Sequence, residues 1–184
     1  MEFTYKLKKN DELTKVEIEG MYQLNVKMYP SFKDQYEKNR YYSYTKPEKV
    51  MMVFDGKKLI ADVNYSHRTI FLPKQNKFVK LAYWGILVDE DYQRNGIGST
   101  VAKKMQEETK NNGYNVLFAT TQGEAERLML SSGFIKSETK FVWFDDQLNE
   151  HQIIRDKNYV PYVWFTGEDV FANEECVFLG TGPI

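Results

Sequence analysis

The residues best placed to do chemistry in this sequence form a glycine-bearing stretch, QRNGIGS, at Gln93–Ser99. It follows an uncharged and mostly apolar run, Leu81–Val88, which is long enough for a strand buried on both faces and too short to cross a membrane. Beyond the stretch, apolar residues recur at helical spacing as far as Gly113. A turn between a buried strand and a helix N-terminus presents unpaired backbone N–H groups and the positive end of the helix dipole. Because glycines let a phosphate approach closely, the stretch predicts an anion site.

The pattern Gln-x-x-Gly-x-Gly after a buried strand resembles the acyl-CoA pyrophosphate loop of the GNAT superfamily of N-acetyltransferases. It differs from the dinucleotide-binding fingerprint, which needs a third glycine and an acidic residue about 20 positions later. A second block lies downstream, in the order and at the separation that the superfamily shows. At the spacings of the superfamily pattern N-x-x-A-x-x-L-Y-x-x-x-G-F this chain has Gln122, Ala125, Leu128, Met129, Gly133 and Phe134.

This resemblance implies an α/β fold of the α+β type, with a mixed central sheet of about six or seven strands flanked by helices. The sheet is expected to splay between its two central strands. The resemblance also implies acetyl-CoA as the cofactor and main-chain N–H groups near Gly85 that polarise the thioester carbonyl. The residues that it assigns to the cofactor are Ile86, Leu87, Val88, Gln93, Arg94, Asn95, Gly96, Ile97, Gly98, Ser99, Thr100 and Gln122.

Proton transfer is where the sequence departs from the superfamily. Many relatives place a Glu or His that accepts the amine proton where this chain has Trp84, and a Tyr that protonates the leaving thiolate where it has Met129. Neither Trp nor Met can exchange a proton in this way. His151 falls in a polar segment with nothing to orient it, and solvent is an alternative in both roles. The candidate replacements are His67, Tyr83 and Glu124.

Aromatic residues are abundant, with 13 Tyr, 12 Phe and 3 Trp, and many lie outside the predicted core strands. An aromatic-lined cleft flanked by carboxylates would suit a flat or cationic amine. The alternative is that these rings pack the helices onto the sheet. The residues assigned to the acceptor are Tyr29, Phe32, Trp84 and Trp164.

Hydrophobic periodicity and turn residues predict the elements along the chain. They are a strand at Glu2–Leu7, a helix that Asp11 or Thr14 caps and Pro30 stops, a helix at Ser31–Tyr42, a hairpin of Val50–Phe54 and Leu59–Ile70 around Asp55-Gly56, a strand at Phe78–Val88, a helix from Ile97 to near Gly113, a strand at Asn115–Ala119, a helix at Gln122–Ser131 and a strand that Gly133-Phe134 opens. Because the 184 residues show no repeat or linker, we expect a single domain over 1–184.

The C-terminal segment 145–184 extends beyond the superfamily minimum. Tyr159–Phe165 is strand-like, but Pro161 inside it predicts an edge position or a bulge. Val177–Leu179 predicts a last short strand. The stretch between these strands is either a solvated loop or a lid that attracts a cationic amine through Glu168, Asp169, Glu174 and Glu175.

A finer resemblance is to the aminoglycoside 2'-N-acetyltransferases. It rests on the layout of Ala119–Phe134, where Thr120 and Thr121 match a hydroxyl-rich strand end, and on the long tail. In those enzymes the tail reaches the substrate, which implies here that the terminal carboxylate of Ile184 could fold over the cleft. The resemblance implies an acceptor similar to an aminoglycoside.

Composition excludes several other classes of function. With 25 Lys plus Arg and 26 Asp plus Glu, the chain lacks the net positive charge that would favour binding to nucleic acid. One cysteine and two histidines without ligand spacing make a metal site unexpected, and the lone Cys176 fits a reducing compartment. No apolar run is long enough for a membrane span and the N-terminal segment lacks a secretory signal pattern, so we expect a cytoplasmic protein without a membrane partner.

Together these features predict an acetyl-CoA-dependent N-acetyltransferase that acts on the primary amine of a small, cationic acceptor. One alternative is a protein or peptide N-acetyltransferase, which would need an open groove for a chain. Another is a non-catalytic acyl-CoA-binding regulatory module, which Trp84 and Met129 favour. Exposed strand edges after Tyr159 would allow a homodimer by strand pairing.

Overall fold

The fold is seen in a computed structural model, which describes residues 2–42, 45–121, 125–145, 147–153 and 160–181. Its helices and strands are β1 (Thr4–Lys9), α1 (Lys15–Met28), α2 (Lys33–Asn39), β2 (Lys49–Asp55), β3 (Lys58–Leu72), β4 (Lys77–Val88), α3 (Ile97–Asn111), β5 (Val116–Thr121), α4 (Glu126–Ser131), β6 (Ile135–Lys136), β7 (Lys140–Phe144), β8 (Glu150–Ile153), β9 (Val160–Phe165) and β10 (Cys176–Thr181). Among these residues, no helix is both long and apolar enough to cross a membrane.

The strands form a seven-stranded sheet in the order β1-β2-β3-β4-β5-β9-β6 and a three-stranded sheet in the order β10-β7-β8. In the larger sheet β4 and β5 are parallel, whereas β5 pairs antiparallel with β9. The β4–β5 ladder joins Leu81–Tyr83 to Val116–Phe118 and ends there, although both strands continue. The predicted mixed sheet with a splay between its central strands is therefore confirmed.

By compactness the chain divides into two units, of which the first comprises Met1–Ser66 and Gly85–Gly98. Helix α1 starts at a capping box, in which the Thr14 hydroxyl accepts from the Glu17 amide and the Glu17 carboxylate accepts from the Thr14 amide. The helix ends before Pro30, as predicted. The buried core of this unit joins α1 to β2 through Met21, Tyr41, Val50 and Met52.

The second unit comprises His67–Trp84 and Ser99–Ile184. Its core lies where β7 and β10 pack face to face on the larger sheet. Phe141 of β7 contacts Phe118 of β5 with ring centroids 4.8 Å apart, and Phe171 contacts both Phe141 and Phe165 at 5.5 and 5.7 Å. These edge-on ring contacts show that much of the aromatic content packs the two sheets together, which was the alternative to an aromatic cleft.

The prediction that Pro161 marks an edge strand is wrong, because β9 lies between β5 and β6. The carbonyl of Pro161 accepts from the amide of Ser137 at 3.0 Å. In an antiparallel strand the nitrogen and carbonyl of one residue point to the same side. The nitrogen of Pro161 therefore points to the side of β6, beyond the end of that strand at Lys136. Because proline has no N–H, one hydrogen bond is lost, at the end of a short ladder.

Element boundaries differ from the prediction in the helices. The predicted helix at Ser31–Tyr42 is a 3₁₀ turn at Pro30–Phe32 followed by α2. The predicted helix at Gln122–Ser131 is described from Glu126 onward, while Gln122 and Glu124 lie outside the described residues. The hairpin around Asp55-Gly56 is confirmed, and Gly56 has a φ of 57°, a left-handed conformation that favours glycine.

A buried carboxyl lies beneath α1. Asp62 of β3 is 2% exposed and accepts a hydrogen bond from Asn25 Nδ2 at 2.7 Å. Burial raises the pKa of Asp62 to about 7, against the opposing effect of the Asn25 hydrogen bond. The folded state therefore favours the uncharged carboxyl at mildly acid pH.

We expect Asp62→Asn to flatten the pH dependence of stability. The pKa of this carboxyl is about 7 in the folded chain, against about 4 in an unfolded one. Its stabilising contribution is therefore full below about pH 4 and is lost as the pH rises through about 7. At pH 8 the variant should be more stable than the wild type by about 1–3 kcal/mol, whereas near pH 4 the two should be similar. Urea denaturation at both pH values measures the difference.

The matched control is Asp11→Asn, which makes the same change at an exposed position and should alter stability by less than about 0.5 kcal/mol. An Asp62→Asn variant that is less stable than the wild type at pH 8 would contradict the raised pKa of the buried carboxyl.

Candidate active site

Strand β4 ends at a buried carboxylate that belongs to the first unit. Asp89 is 2% exposed, and its carboxylate accepts from Lys27 Nζ at 2.7 Å, Lys58 Nζ at 3.3 Å and the Asp91 amide at 3.2 Å. Its own amide donates to the carbonyl of Ile60 at 2.8 Å. Burial opposes ionisation of this group, but the hydrogen bonds from Lys27, Asp91 and Lys58 outweigh it and lower the pKa of Asp89. The end of β4 is therefore tied to α1, to β3 and to the following turn.

Tyr92 fixes the turn that follows. Its hydroxyl donates to Asp55 at 3.1 Å, and the ammonium of Lys58 lies 4.7 Å from its ring centroid. Phe3 packs edge-on against the same ring at 6.3 Å. The side chain of Tyr92, just before the glycine-bearing loop, is thus positioned by a hydrogen bond at its hydroxyl and by two contacts at its ring.

The loop itself exposes backbone amides. Arg94 and Gly96 have φ values of 64° and 77°, left-handed conformations of the kind that occur in anion-binding backbone nests. The amides of residues 94–97 carry no hydrogen bond to any residue in the described part of the chain. A Cβ placed on Gly96 would meet nothing within 4 Å, so there is room for a large anion against the backbone.

Side chains within the loop hold this conformation. Asn95 Nδ2 donates to the carbonyls of Tyr92 and Gln93 at 3.2 and 3.3 Å, and Gln93 Nε2 donates to the carbonyl of Val88 at 3.3 Å. Helix α3 begins at Ile97, which is 2% exposed and anchors the helix start in the core. The first amides of any helix lack intrahelical partners, so α3 adds donors to those of the loop.

The loop at residues 94–97 therefore has the free donors and the room that a diphosphate needs, and the assignment of residues 93–100 to the cofactor stays a prediction. Ser99 is exposed and Thr100 is half-buried, so both hydroxyls are accessible. On β4, Gly85 is exposed, and a Cβ placed on it would meet nothing within 4 Å. A ligand can therefore approach the backbone of β4 closely at Gly85, just before Ile86, Leu87 and Val88.

A family model described as "Acetyltransferase (GNAT) family" matches residues 18–134, more than half of the chain. The chain belongs to this family. Membership makes it an N-acyltransferase whose cofactor is acetyl-CoA, and the fold and the loop agree with it. No curated protein matches the chain significantly.

Solved structures of the same fold cover nearly the whole chain. Escherichia coli ElaA is similar with a TM-score of 0.61 and 14% identity, over 88% of this chain and 99% of that one. An acyl-CoA N-acyltransferase from Pseudomonas aeruginosa has a TM-score of 0.58 and 13% identity, over 88% and 99%. A chain of the NatC complex bound to Gag peptide and CoA has a TM-score of 0.57 and 14% identity, over 91% and 100%. At these identities the likeness shows the fold alone.

The two residues at the superfamily's usual proton-transfer positions are core residues. Trp84 and Met129 are 5% and 4% exposed. The Trp84 ring packs against Phe134 with centroids 5.9 Å apart, and its Nε1 has no hydrogen-bond partner in the described part of the chain. Trp84 therefore offers little surface to an acceptor, and its assignment to the acceptor stays a prediction.

The catalytic candidates from the sequence lie apart from one another. His67 is exposed and stacks on Tyr114, which precedes β5, with ring centroids 4.9 Å apart. Tyr83 is half-buried beneath the guanidinium of Arg68, 5.4 Å from its ring centroid. Glu124 lies outside the described residues, so its role stays a prediction.

The acceptor candidates differ in exposure. Tyr29 is 49% exposed and meets Phe32 edge-on at 6.4 Å, so these two rings present an aromatic surface in the first unit. Trp164 is half-buried on β9 opposite Leu117. These assignments also stay predictions.

The acidic stretch of the tail packs beside the start of β5. Glu168 and Asp169 line a cavity of about 220 Å³ together with Asn115, which precedes β5. Glu174 is 7% exposed, and Glu175 pairs with Lys74. Of the two interpretations of this stretch, the structure favours the loop over the lid, because its carboxylates lie at the end of β5 opposite to the splay.

The contact between Asp145 and His151 was not predicted from the sequence. His151 was expected to have nothing to orient it, but its Nε2 lies 2.9 Å from Asp145 Oδ2 and its ring stacks on Trp143 with centroids 4.2 Å apart. The correction follows from the β7–β8 hairpin, which pairs Trp143 with His151 across strands. Alternating aromatic residues at 141 and 143 were the available signal for β7, but nothing local marked β8 as its partner.

We expect Asp89→Asn to lower the free energy of unfolding at pH 7 by about 1–2 kcal/mol, because a neutral amide holds the two ammonium groups less strongly. Since the folded chain lowers the pKa of Asp89, its carboxylate contributes stability above about pH 4 and loses it as the pH falls through the folded pKa. The difference in the free energy of unfolding between variant and wild type should disappear at acid pH, as urea denaturation at pH 7 and pH 3 would show.

Asp91→Asn is the control, because that carboxylate is 68% exposed and its replacement should change the free energy of unfolding little.

We expect Gly96→Asp to weaken coenzyme A binding by at least about 10-fold relative to Gly96→Asn. Both side chains tolerate the left-handed backbone at Gly96 and have the same shape, so the pair isolates the negative charge facing the diphosphate. Titration calorimetry with coenzyme A measures both affinities. Equal affinities would show that the diphosphate lies elsewhere.

Proposed function

We propose that the chain transfers an acetyl group from acetyl-CoA directly to the primary amine of a small, cationic acceptor in a ternary complex. The observation that supports this most strongly is the run of unpaired amides at residues 94–97, which follows a strand end fixed by Asp89. Acetyl-CoA supplies the activated acyl group as a thioester.

The chain's own residues bind and orient that cofactor. The amides of residues 94–97 and the start of α3 would hold the diphosphate, with the hydroxyls of Ser99 and Thr100 beside them. This directs the pantetheine toward β4, where Gly85 leaves the backbone accessible. Main-chain donors near Ile86 would stabilise the developing negative charge on the carbonyl oxygen, an effect typically worth a few kcal/mol.

A small cationic acceptor is favoured by the exposed ring of Tyr29 and the half-buried ring of Phe32 beside it, since aromatic faces attract cations. A cavity of about 170 Å³ in the same unit is lined by two carboxylates, two tyrosines and one guanidinium, those of Glu19, Glu37, Tyr22, Tyr36 and Arg40, so its acidic groups outnumber its basic one. Both features would suit a compact amine, including an aminoglycoside-like one. We propose further that the protein acts in the cytoplasm as a single domain, and that a homodimer could form by pairing of strand edges.

Two alternatives keep specific support. Protein or peptide acetylation is favoured by the likeness in fold to the NatC complex bound to Gag peptide and CoA. A non-catalytic regulatory role is favoured by Trp84 and Met129, which cannot exchange protons and are buried.

Turnover separates these functions. We expect free thiol to be released from acetyl-CoA with at least one small amine in a panel of diamines, arylalkylamines and aminoglycosides, with the acetylated amine identified by mass spectrometry. The Gly96→Asp variant is the control for turnover that depends on the loop. Acetylation of peptide N-termini alone would favour the protein acetyltransferase, and cofactor binding without thiol release on any acceptor would favour the regulatory module.

A further inference from the structure

Three carboxylates precede the loop that is predicted to bind a diphosphate. Asp89, Glu90 and Asp91 are consecutive, and Arg94 is the only basic residue between them and Gly98. Three carboxylates and one guanidinium give this segment a net charge of −2. The diphosphate of coenzyme A is itself an anion, so carboxylates beside its site would oppose binding. The segment therefore needs positive charge from another part of the chain.

Lys27 brings that charge from α1. Its Nζ lies 2.7 Å from Asp89 Oδ1, 3.4 Å from Asp91 Oδ2 and 3.6 Å from Glu90 Oε1, so one ammonium contacts all three carboxylates. In the part of the chain that the structure describes, no other basic residue pairs with Glu90 or Asp91. The acidic turn at 89–91 thus depends on a residue that lies 62 positions before it in the sequence.

The ammonium of Lys27 is held in place and stays charged. Lys27 lies in the last turn of α1. Two residues earlier, Asn25 donates to Asp62 of β3 at 2.7 Å, which anchors this end of the helix on the sheet. The hydrogen bond with Asp89 raises the pKa of Lys27 well above its usual range. Lys27 therefore carries its positive charge at any pH near neutrality.

Stability alone does not explain all three contacts of Lys27. A purely structural role would need only the contact with Asp89, whose side chain is 3% exposed. The side chains of Glu90 and Asp91 are 67% and 68% exposed, and surface ion pairs of this kind add little to stability. The charge of the neighbouring loop is therefore the better explanation for these two contacts.

The exposed carboxylates are close enough to act on an anion at the loop. Asp91 is three residues before Arg94, so their Cα atoms are at most about 11 Å apart. The turn at Glu90–Tyr92 is a 3₁₀ helix, which is shorter than an extended chain. Charges in water interact over a Debye length of about 10 Å at 0.1 M ionic strength. Repulsion from the carboxylates therefore reaches the loop and weakens as salt is added.

We propose that Lys27 is a positioning residue for coenzyme A, which neutralises the acidic turn at 89–91 so that the loop can hold the diphosphate. The inference rests on the proposed function, in which the amides of residues 94–97 bind that group. It gives α1 a role in cofactor binding, although this helix contributes no residue to the loop. Lys58 differs from Lys27, because its ammonium lies at Asp89 and at the ring of Tyr92.

The test measures coenzyme A affinity by titration calorimetry for Lys27→Met and for Lys33→Met. Both variants replace an ammonium by an unbranched neutral side chain, but Lys33 of α2 pairs with Glu37 at 3.5 Å. We expect Lys27→Met to weaken the affinity about 10-fold at about 20 mM salt and less than about 3-fold at about 0.5 M, since salt screens the repulsion. Lys33→Met is the matched control and should change the affinity less than about 2-fold at either concentration.

Removing the exposed carboxylates should restore binding without restoring the lysine. When Lys27→Met is combined with Glu90→Gln and Asp91→Asn, we expect the affinity at about 20 mM salt to return to within about 3-fold of the wild type. Lys27→Arg keeps the charge and should also stay within about 3-fold. Urea denaturation of each variant checks that the chain is folded, because Lys27→Met also removes a partner of the buried Asp89.

Three results would overturn the assignment: an unchanged affinity in Lys27→Met, a loss that is the same at both salt concentrations, or a triple variant that binds as weakly as Lys27→Met. The last two would indicate that Lys27 acts only through the packing around Asp89. A wild-type chain that does not bind coenzyme A at all would count separately, against the proposed function.

Discussion

The buried carboxylate of Asp89 decides where β4 stops and where the loop begins. Removing a carboxylate from water costs several kcal/mol unless charge and hydrogen bonds compensate, and here Lys27, Lys58 and the Asp91 amide provide them. A shift of the strand end by one residue would break all three contacts and turn the carboxylate to the other face. The amides of residues 94–97 are therefore presented at a fixed place without partners in the described part of the chain, as in backbone sites that bind anions.

The departure from the family's usual proton-transfer residues has a packing explanation. Trp84 and Met129 fill the core of the second unit, where an ionisable side chain would need compensation that the surrounding apolar groups do not offer. A polar pair is found instead on the hairpin of β7 and β8, which is inserted between β6 and β9. There Asp145 and His151 are partly exposed and hydrogen-bonded to each other, and Trp143 stacks on the imidazole ring.

Much of the fold could be predicted from local patterns. The capping residue Thr14 and the terminator Pro30 bound α1, and the Asp55-Gly56 pair marks the first hairpin, because each acts through its own backbone conformation. Pairing between distant strands could not be predicted in this way. Pro161 suggested an edge because a proline lacks a donor, yet the position of β9 depends on where β6 ends, which no residue near Pro161 encodes.

The sequence by itself determined the family, the order of most elements and the position of the loop that is predicted to bind an anion, since a buried strand, a glycine-bearing turn and a helix start are contiguous and their chemistry is local. Only the tertiary structure decided that Trp84 is buried, that the acidic stretch of the tail lies at the start of β5, and that Asp145 orients His151. These facts arise from the packing of one sheet on another and from cross-strand register, in which residues far apart in the chain become neighbours through contacts that neither segment specifies alone.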